Sequence, residues 1–331
     1  MAARTLSNSR KIYVIYGGEL SLFTRKLEAA LIFYGAEFVT ESKTEDNHQF
    51  IETRAATHQV PVLQTPENWL IADTTPLLRM LDGRFPDRRL FPDGPGGLLV
   101  HTLEEHFDEW IARVMVHYRW HYEDSARFAS LKMANGNPAI AELMLDWGPR
   151  ACRATGTQSQ QQQRAAEDEY VRMLEAMEQQ LQESAFLLGE RPTAIDCIVL
   201  GGLRAHTNMD PDPQKVTANY PTVIDWAQRR ADTWDGSGEL ATLPESGFAQ
   251  HVLGEMAATY QPYVLANRAA LSAGAKAFHV EIYAEDVSYL TRPYPEKSRL
   301  MVVEHLNSLP GQQRDTVRQL LDRYALSEAF R

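Results

Sequence analysis

The hydrophobic pattern of the chain begins with a short apolar run, which is followed by apolar residues at helical spacing. KIYVIY, residues 11–16, is a β-branched and aromatic run that a glycine pair ends, which predicts a buried strand. Four apolar residues then recur at helical spacing: Phe23, Leu27, Leu31 and Tyr34. Gly35 follows them directly, so the pattern predicts a helix that ends at this glycine.

The next stretch adds the remaining elements of a small domain. AEFVTES, residues 36–42, predicts a second strand, and residues 45–54 predict a polar helix. In residues 59–81, two apolar runs flank the turn TPEN as in a hairpin, and a helix begins near Thr74. The order β-α-β-α-β-β-α predicts a mixed α/β domain with one sheet over residues 11–85, preceded by a flexible arm, residues 1–10.

After this domain the pattern becomes helical. The stretch GRFPDRRLFPDGPGG, residues 83–97, is rich in Pro and Gly and shows neither the strand nor the helix periodicity. We therefore place a linker at residues 86–97. Helix-forming sequence then predicts a helical domain over residues 98–260, with these segments: about 98–128, about 159–184, and one opening at Thr193. Thr193 and Asp196 have the spacing of a capping box before an apolar run. Residues 261–331 form an extension with a predicted helix to about residue 272, a β-hairpin within 277–292 and a helix at about 312–324.

Composition and charge narrow the class of protein. The 331 residues carry a net charge of -11 without a Lys/Arg-rich face, which argues against nucleic-acid and anionic-membrane partners, because both require basic residues. No apolar run approaches the roughly 20 residues that span a bilayer. Cys152 and Cys197 cannot form a disulfide framework, and the polar N-terminus does not resemble a signal peptide. We therefore expect a cytoplasmic protein.

The residues alone offer two candidates for chemistry. Ser21 stands directly before the first helix, where serine is a favoured N-cap; no histidine precedes His48 and no G-x-S-x-G elbow exists, which excludes a serine hydrolase. His117 and His121 have the i, i+4 spacing of a zinc pair, but Tyr118 occupies the place of the general-base glutamate. We expect a packed or solvated histidine pair and no metal site.

Four motifs stand in the order and at about the spacing of a known family. SLFTRK (21–26) follows the first strand, QVPVL (59–63) and ADTTPLL (72–78) come next, and LLGERPTAID (187–196) opens the third helix of the helical half. Together they cover residues 11 to about 258. The chain resembles the glutathione S-transferase family, as a serine-type, theta-, zeta- or omega-like member of bacterial style with a C-terminal extension. This resemblance implies a thioredoxin-like N-terminal domain followed by an all-helical C-terminal domain.

The resemblance also implies a glutathione site in the N-terminal domain. Its binding residues would be Phe23, Gln59, Val60, Pro61, Asp73 and Thr74. A cis peptide before Pro61 would let Val60 pair with the cysteinyl part of glutathione, although a trans bond is the commoner state of a proline. Free amides at Thr74 would bind the γ-glutamyl carboxylate while Asp73 takes the ammonium group. The partner of the glycyl carboxylate stays open among four residues: Lys43, His48, Arg54 and His58.

Two hydroxyl groups are candidates for the catalytic role that the family implies. The hydroxyl of Ser21 and the positive end of a helix would together favour the thiolate of glutathione. Serine at this position predicts conjugation and argues against the mixed-disulfide chemistry of a cysteine. Leu22 stands where many relatives carry proline, and Tyr16 at the end of the first strand would present a phenol instead, so both stay candidates.

The second substrate, by the same resemblance, would be a small hydrophobic electrophile between the domains. Four residues lie on one side of the first long helix of the C-terminal half: Val114, His117, Tyr118 and His121. We expect them to line an apolar slot, in a homodimer whose co-substrate is glutathione. The alternatives are a glutathione-dependent isomerase, etherase or dehalogenase on this scaffold, or a non-catalytic binding or scaffold protein, for which the extension is the main indication.

Overall fold

The computed structural model describes residues 12–239, 243 and 245–331. The predicted arm, residues 1–10, lies outside the described residues. The strands span Tyr13–Tyr16 (β1), Phe38–Glu41 (β2), Val62–Gln64 (β3), Leu70–Ile71 (β4), Ala277–Ile282 (β5) and Glu285–Leu290 (β6). The helices span Leu22–Tyr34 (α1), His48–Ala55 (α2), Thr74–Arg84 (α3), Pro95–His106 (α4), Ala112–His121 (α5), Glu123–Met133 (α6), Pro138–Leu145 (α7), Trp147–Ala154 (α8), Gln160–Glu183 (α9), Ala194–Gly202 (α10), Pro211–Thr217 (α11), Pro221–Gln228 (α12), Gly247–Ala258 (α13), Tyr260–Ser272 (α14), Pro293–Ser308 (α15) and Gly311–Arg323 (α16).

The N-terminal sheet has the strand order β2-β1-β3-β4, with β1 parallel to β2 and antiparallel to β3. Alternation along β1 assigns its two faces: Tyr13 and Ile15 belong to the main core with α1 and α3, whereas Tyr16 packs with Ile51 of α2. Helices thus cover both faces of one mixed sheet. This arrangement and the helices that follow it confirm the predicted fold class, a thioredoxin-like domain followed by a helical domain.

The helical domain packs directly onto the helix that follows β1, since α1 and α10 lie side by side. At the start of α10, the carboxylate of Asp196 accepts from the amide of Thr193 at 2.7 Å and from its hydroxyl at 3.0 Å, which confirms the capping box. The segment predicted as one helix at about 98–128 is interrupted. A π-helical turn, Phe107–Ile111, separates α4 from α5, and the extended backbone of Tyr122 separates α5 from α6.

The C-terminal extension folds back onto the helical domain. α14 packs against β5, and α15 and α16 pack against α4. The predicted hairpin forms as β5 and β6, with Tyr283 and Ala284 in its turn at positive φ, and the final predicted helix corresponds to α16. α15 was not predicted, because prolines at its first turn interrupt the pattern without preventing a helix there. In the described part of the chain, every helix is too short or too polar to cross a membrane.

Candidate functional site

Three segments converge at one end of the four-stranded sheet. Tyr16, the last residue of β1, pairs with Val62, the first residue of β3, because the two strands are antiparallel. The chain therefore leaves β1 toward Ser21 at the same end from which it enters β3. β4 is antiparallel to β3, so the chain also leaves β4 toward Asp73 at this end. The register brings together the loop before α1, the segment before β3 and the start of α3.

Ser21 is the N-cap of α1, as its position predicted. Its backbone is extended (φ -95°, ψ 117°), and its Oγ accepts a hydrogen bond from the amide of Thr24 at 3.2 Å. The side chain is half-buried, and its own proton has no acceptor among the described residues. The hydroxyl can therefore donate to a group bound at the start of α1 while it continues to cap the helix.

A buried arginine holds the backbone directly before Ser21. Arg119 of α5 is 3% exposed; it donates to the carbonyl of Leu20 at 2.8 Å and to the carbonyl of Ala205 at 2.7 Å. The same guanidinium donates to both carboxylate oxygens of Asp210, at 2.8 and 3.2 Å. A bidentate pair fixes the plane of the guanidinium. The helical domain thereby sets the position of the loop that carries Ser21.

The segment before β3 presents an unpaired backbone edge. The peptide bond between Val60 and Pro61 is cis, as the resemblance implied. Val60 is half-buried, and within the described ranges neither its N–H nor its C=O has a hydrogen-bond partner. Gln59 beside it is exposed. An extended peptide ligand could pair with this edge as an added strand does.

Asp73 adopts an unusual backbone conformation directly before α3. Its φ is +74° and its ψ is 99°, a combination that costs a residue other than glycine of order 1–3 kcal/mol. The amides of Thr74 and Thr75 in the first turn of α3 have no acceptor among the residues described. An anion at this helix start would meet two free N–H groups and the positive end of the helix dipole.

The carboxylate of Asp73 is contacted by the C-terminal extension. The hydroxyl of Tyr294 donates to its Oδ1 at 2.5 Å, and the ammonium of Lys297 lies 3.0 Å from its Oδ2. Both residues lie on α15. Burial, followed by the hydrogen bond to Asp73 and its charge, raises the pKa of Tyr294, so the phenol keeps its proton and remains a donor. The extension thus reaches the site that the sequence assigned to the N-terminal domain.

A buried charge cluster lies beside the start of α3. Lys26 of α1 is fully buried and contacts Glu104, Asp108 and the hydroxyl of Thr75. Burial opposes the charge of Lys26, but Asp108 and Glu104 raise its pKa, so it is protonated. Burial and the neighbouring Asp108 raise the pKa of Glu104 to about 7. The cluster joins α1, α3 and the α4 region into one unit.

Phe23 and Tyr16, the other residues predicted near the start of α1, take different positions. Phe23 is half-buried against the core, and the ammonium of Lys26 lies 5.8 Å from its ring centroid. Tyr16 donates its hydroxyl to Gln64 of β3 at 2.8 Å and packs on the α2 face of the sheet. Burial and then the charge of Glu41 raise the pKa of Tyr16. Its phenol proton is therefore already engaged.

The side of α5 chosen from the spacing faces α9 and the domain core. Val114 and Tyr118 are core residues, and His117 is fully buried with its Nε2 2.8 Å from Glu167. His121 is exposed and stacks on His117. Among the described residues, these four form no open slot between the domains. The reason is geometric: 3- and 4-residue spacing identifies one face of a helix and does not say which neighbour covers it.

The side of the α4–α5 region that faces the N-terminal domain carries other residues. Asp108 meets Lys26, and Arg119 meets Leu20. A Cβ on Gly202 would be 2.0 Å from the methyl group of Met115 and 3.9 Å from Cδ1 of Leu22, so Met115 lies close to α1 of the N-terminal domain. These contacts place Asp108, Met115 and Arg119, and not the predicted set, at the domain interface.

A polar groove of about 930 Å³ opens next to α2. It is lined by Ser42, Lys43, Thr44, Glu45, His48, Glu52 and Asn135. Lys43 donates to the carbonyl of His58 at 2.6 Å and pairs with Glu52. Arg54 points to the β3–β4 turn, where it donates to the carbonyl of Asn68. Of the four basic residues considered from the sequence, Lys43 and His48 therefore line this groove.

The helical domain matches a known family. The family model described as "Glutathione S-transferase, C-terminal domain" matches residues 133–232. Residues 133–232 are thus similar to the C-terminal domain of glutathione S-transferases. This match confirms the resemblance to the glutathione S-transferase family, while the serine-type, theta-, zeta- or omega-like subtype stays a prediction.

Several solved glutathione S-transferases are similar to this chain at low sequence identity. The enzyme from Rhodospirillum rubrum is 16% identical, covering 72% of this chain and 99% of its own, with a TM-score of 0.45. The enzyme from Xanthobacter autotrophicus is 20% identical, covering 71% and 97%, with a TM-score of 0.41. The enzyme from Methylobacterium radiotolerans, in complex with glutathione sulfonate, is 16% identical, covering 70% and 98%, with a TM-score of 0.43. No curated protein matches the chain by sequence.

Several residues at the convergent end of the sheet could not be identified from the sequence. Arg119 lies 99 residues from its partner Leu20, and Lys297 lies 224 residues from its partner Asp73. Nothing in the local pattern around Arg119 or Lys297 distinguishes a buried or site-facing cation from a surface one. The one signal in the sequence was Lys26, which is the only charged residue among the buried positions of α1.

Proposed function

We propose that this chain binds glutathione at the convergent end of the sheet and that Ser21 stabilises the thiolate for attack on a hydrophobic electrophile. The observation that carries the proposal is the unpaired backbone of Val60, which lies in the segment between Ser21 and Asp73 in space. A cysteinyl residue pairing with Val60 would place its thiol toward the start of α1. This pairing uses main-chain groups and therefore suits a small peptide.

The groups around Val60 suit the two ends of glutathione. The free amides of Thr74 and Thr75 would donate to the γ-glutamyl carboxylate, and Asp73 would face the ammonium group beside it. Lys43 and His48 in the neighbouring groove are the candidates for the glycyl carboxylate. The strained φ of Asp73 supports this assignment, because such conformations cluster at ligand sites.

Ser21 is the better candidate for the hydroxyl that contacts the sulfur. Its proton is free, whereas the proton of Tyr16 is donated to Gln64. A thiol has an ordinary pKa of about 8.5, so stabilising its anion increases the reactive fraction at neutral pH. A hydroxyl donor and the N-terminus of α1 act in the same direction.

Replacing Ser21 with alanine is expected to raise the pKa of the bound glutathione thiol by about 1–2 pH units. A hydrogen bond to a charged group contributes about 1.5–3 kcal/mol, and 1.36 kcal/mol corresponds to one unit. The measurement is thiolate absorbance of the complex against pH. Ser21→Thr keeps the hydroxyl and should retain the wild-type value.

Loss of the helix cap requires its own control, because Ser21→Ala also costs about 1 kcal/mol of stability. Ser21→Asn keeps a capping oxygen without a hydroxyl and should show the raised thiol pKa at near-normal stability. Ser246 caps α13 through the amide of Ala249 in the same way, so Ser246→Ala should lower stability and leave the thiol pKa unchanged. A thiol pKa that is the same in wild type and Ser21→Ala contradicts the role of Ser21.

The reaction class is tested by binding before turnover. Glutathione should raise the melting temperature of the protein, as any ligand of the native state does. The protein should also be retained on glutathione resin. A panel of activated aryl halides, epoxides, ethers and haloalkanes then distinguishes conjugation from ether cleavage or dehalogenation, which use the same thiolate. The absence of both retention and a thermal shift would favour a non-catalytic scaffold.

A further inference from the structure

We propose that Lys297 and Tyr294 of the C-terminal extension are specificity-determining residues, which satisfy the Asp73 carboxylate and so weaken its preference for the ammonium group of the ligand. Lys297 serves as an internal substitute for that ammonium. The inference rests on the proposed glutathione site and concerns its γ-glutamyl end.

The contacts on Asp73 use both of its carboxylate oxygens. Tyr294 donates to Oδ1 at 2.5 Å, and Lys297 donates to Oδ2 at 3.0 Å. The Asp73 side chain is 21% exposed, whereas Lys297 is 61% exposed. The lysine also lies 5.3 Å from the centroid of the Tyr294 ring. The carboxylate therefore has a cation and a neutral donor from the protein itself.

Buried contacts fix the helix that carries these two residues. Before α15, the backbone of Arg292 exchanges two hydrogen bonds of 2.9 Å with the side chain of Asn267, which is fully buried. The Arg292 guanidinium contacts Glu109 at 2.6 Å. Directly after Lys297, the buried Ser298 donates to the buried Glu105. These anchors on both sides set the register of α15, so the contact with Asp73 follows from interior packing.

A carboxylate that already has a cation gains less from a second one. The ammonium of glutathione would have to share Asp73 with Lys297 or displace it, and either process reduces the net gain from that subsite. The α-carboxylate of the ligand is not affected in this way, because its partners are the amides of Thr74 and Thr75. We therefore expect this site to bind N-acylated glutathione more tightly, relative to glutathione, than a site whose aspartate has no partner would.

The test compares glutathione with N-acetylglutathione, which lacks the ammonium charge and keeps the thiol and both carboxylates. Calorimetric titration of the full chain gives the two Kd values and their ratio. In Lys297→Ala the preference for glutathione over the N-acetyl form should rise about three- to fivefold, the upper range for a partly exposed ion pair. Tyr294→Phe should change the ratio in the same direction, and Lys276→Ala, which removes an exposed lysine of the same extension, should leave it unchanged.

Each outcome decides between the two proposals. If both ligands bind and the ratio is equal in wild type, Lys297→Ala and Tyr294→Phe, the role of the extension is overturned while glutathione binding stands. If Lys297→Ala weakens both ligands equally, Lys297 binds a ligand carboxylate and the inference is overturned. If neither ligand binds to wild type or to any variant, the glutathione site itself fails and this inference fails with it.

Discussion

Replacing Lys26 with methionine is expected to lower the free energy of unfolding by about 3–5 kcal/mol at pH 8, the range for removing one partner of a buried ion pair. Lys26 is fully buried, and its partners Glu104 and Asp108 have side chains that are 1% and 6% exposed. Methionine fills a similar volume but leaves two carboxylates without a cation. Denaturant unfolding followed by circular dichroism measures the change.

The loss in Lys26→Met should be smaller at pH 5.5 than at pH 8. Lys26 lowers the pKa of Glu104, which is about 7 in the wild type, so removing Lys26 raises this pKa further. The variant therefore loses more stability than the wild type as pH rises from 5.5 to 8, because a larger part of its stability depends on a protonated Glu104. Without Lys26, a protonated Glu104 avoids the buried charge. Adding Glu104→Gln to Lys26→Met should recover part of the loss at pH 8 and reduce its pH dependence. A loss that is equal at both pH values would show that electrostatics is not the cause.

Replacing Gly201 with alanine is expected to destabilise the protein by about 1–3 kcal/mol or more, as overpacking does. A Cβ at Gly201 would lie 2.6 Å from the carbonyl oxygen of Leu22 and 2.9 Å from the amide nitrogen of Lys26. These two atoms belong to one backbone turn of α1, which cannot yield as a side chain can. Because α1 begins directly after Ser21, we also expect weaker glutathione binding. The affinity for glutathione and the free energy of unfolding are therefore both measured.

The neighbouring glycine supplies the matched control. A Cβ at Gly202 would meet the terminal methyl group of Met115 at 2.0 Å, and a flexible methionine can move away. Both glycines belong to α10, so both substitutions gain the same helix propensity. Gly202→Ala should therefore be near neutral in stability and in glutathione affinity. Equal losses in the two variants would contradict the close approach of α1 and α10.

Much of the fold follows from local signals. The strand before the glycine pair, the helix that ends at Gly35, the turn between β3 and β4, the hairpin of β5 and β6 and the capping box at Thr193 all form where the pattern predicted. Each depends on residues within a few positions of one another, so spacing and residue type suffice. The helix α15 was not predicted, because its first turn tolerates prolines, and the local spacing does not indicate the break at Tyr122.

The sequence by itself therefore determined the order of the elements in the N-terminal domain and the N-cap at Ser21, and its resemblance to a known family identified the segments that meet at the end of the sheet. Only the tertiary structure decided what contacts those segments: Arg119 behind Leu20, Lys26 beside the start of α3, and Lys297 on Asp73. It also decided which face of α5 meets the N-terminal domain. The physical reason is that helical spacing defines a face, whereas the partner of that face or of a single charge depends on packing between residues far apart in the chain.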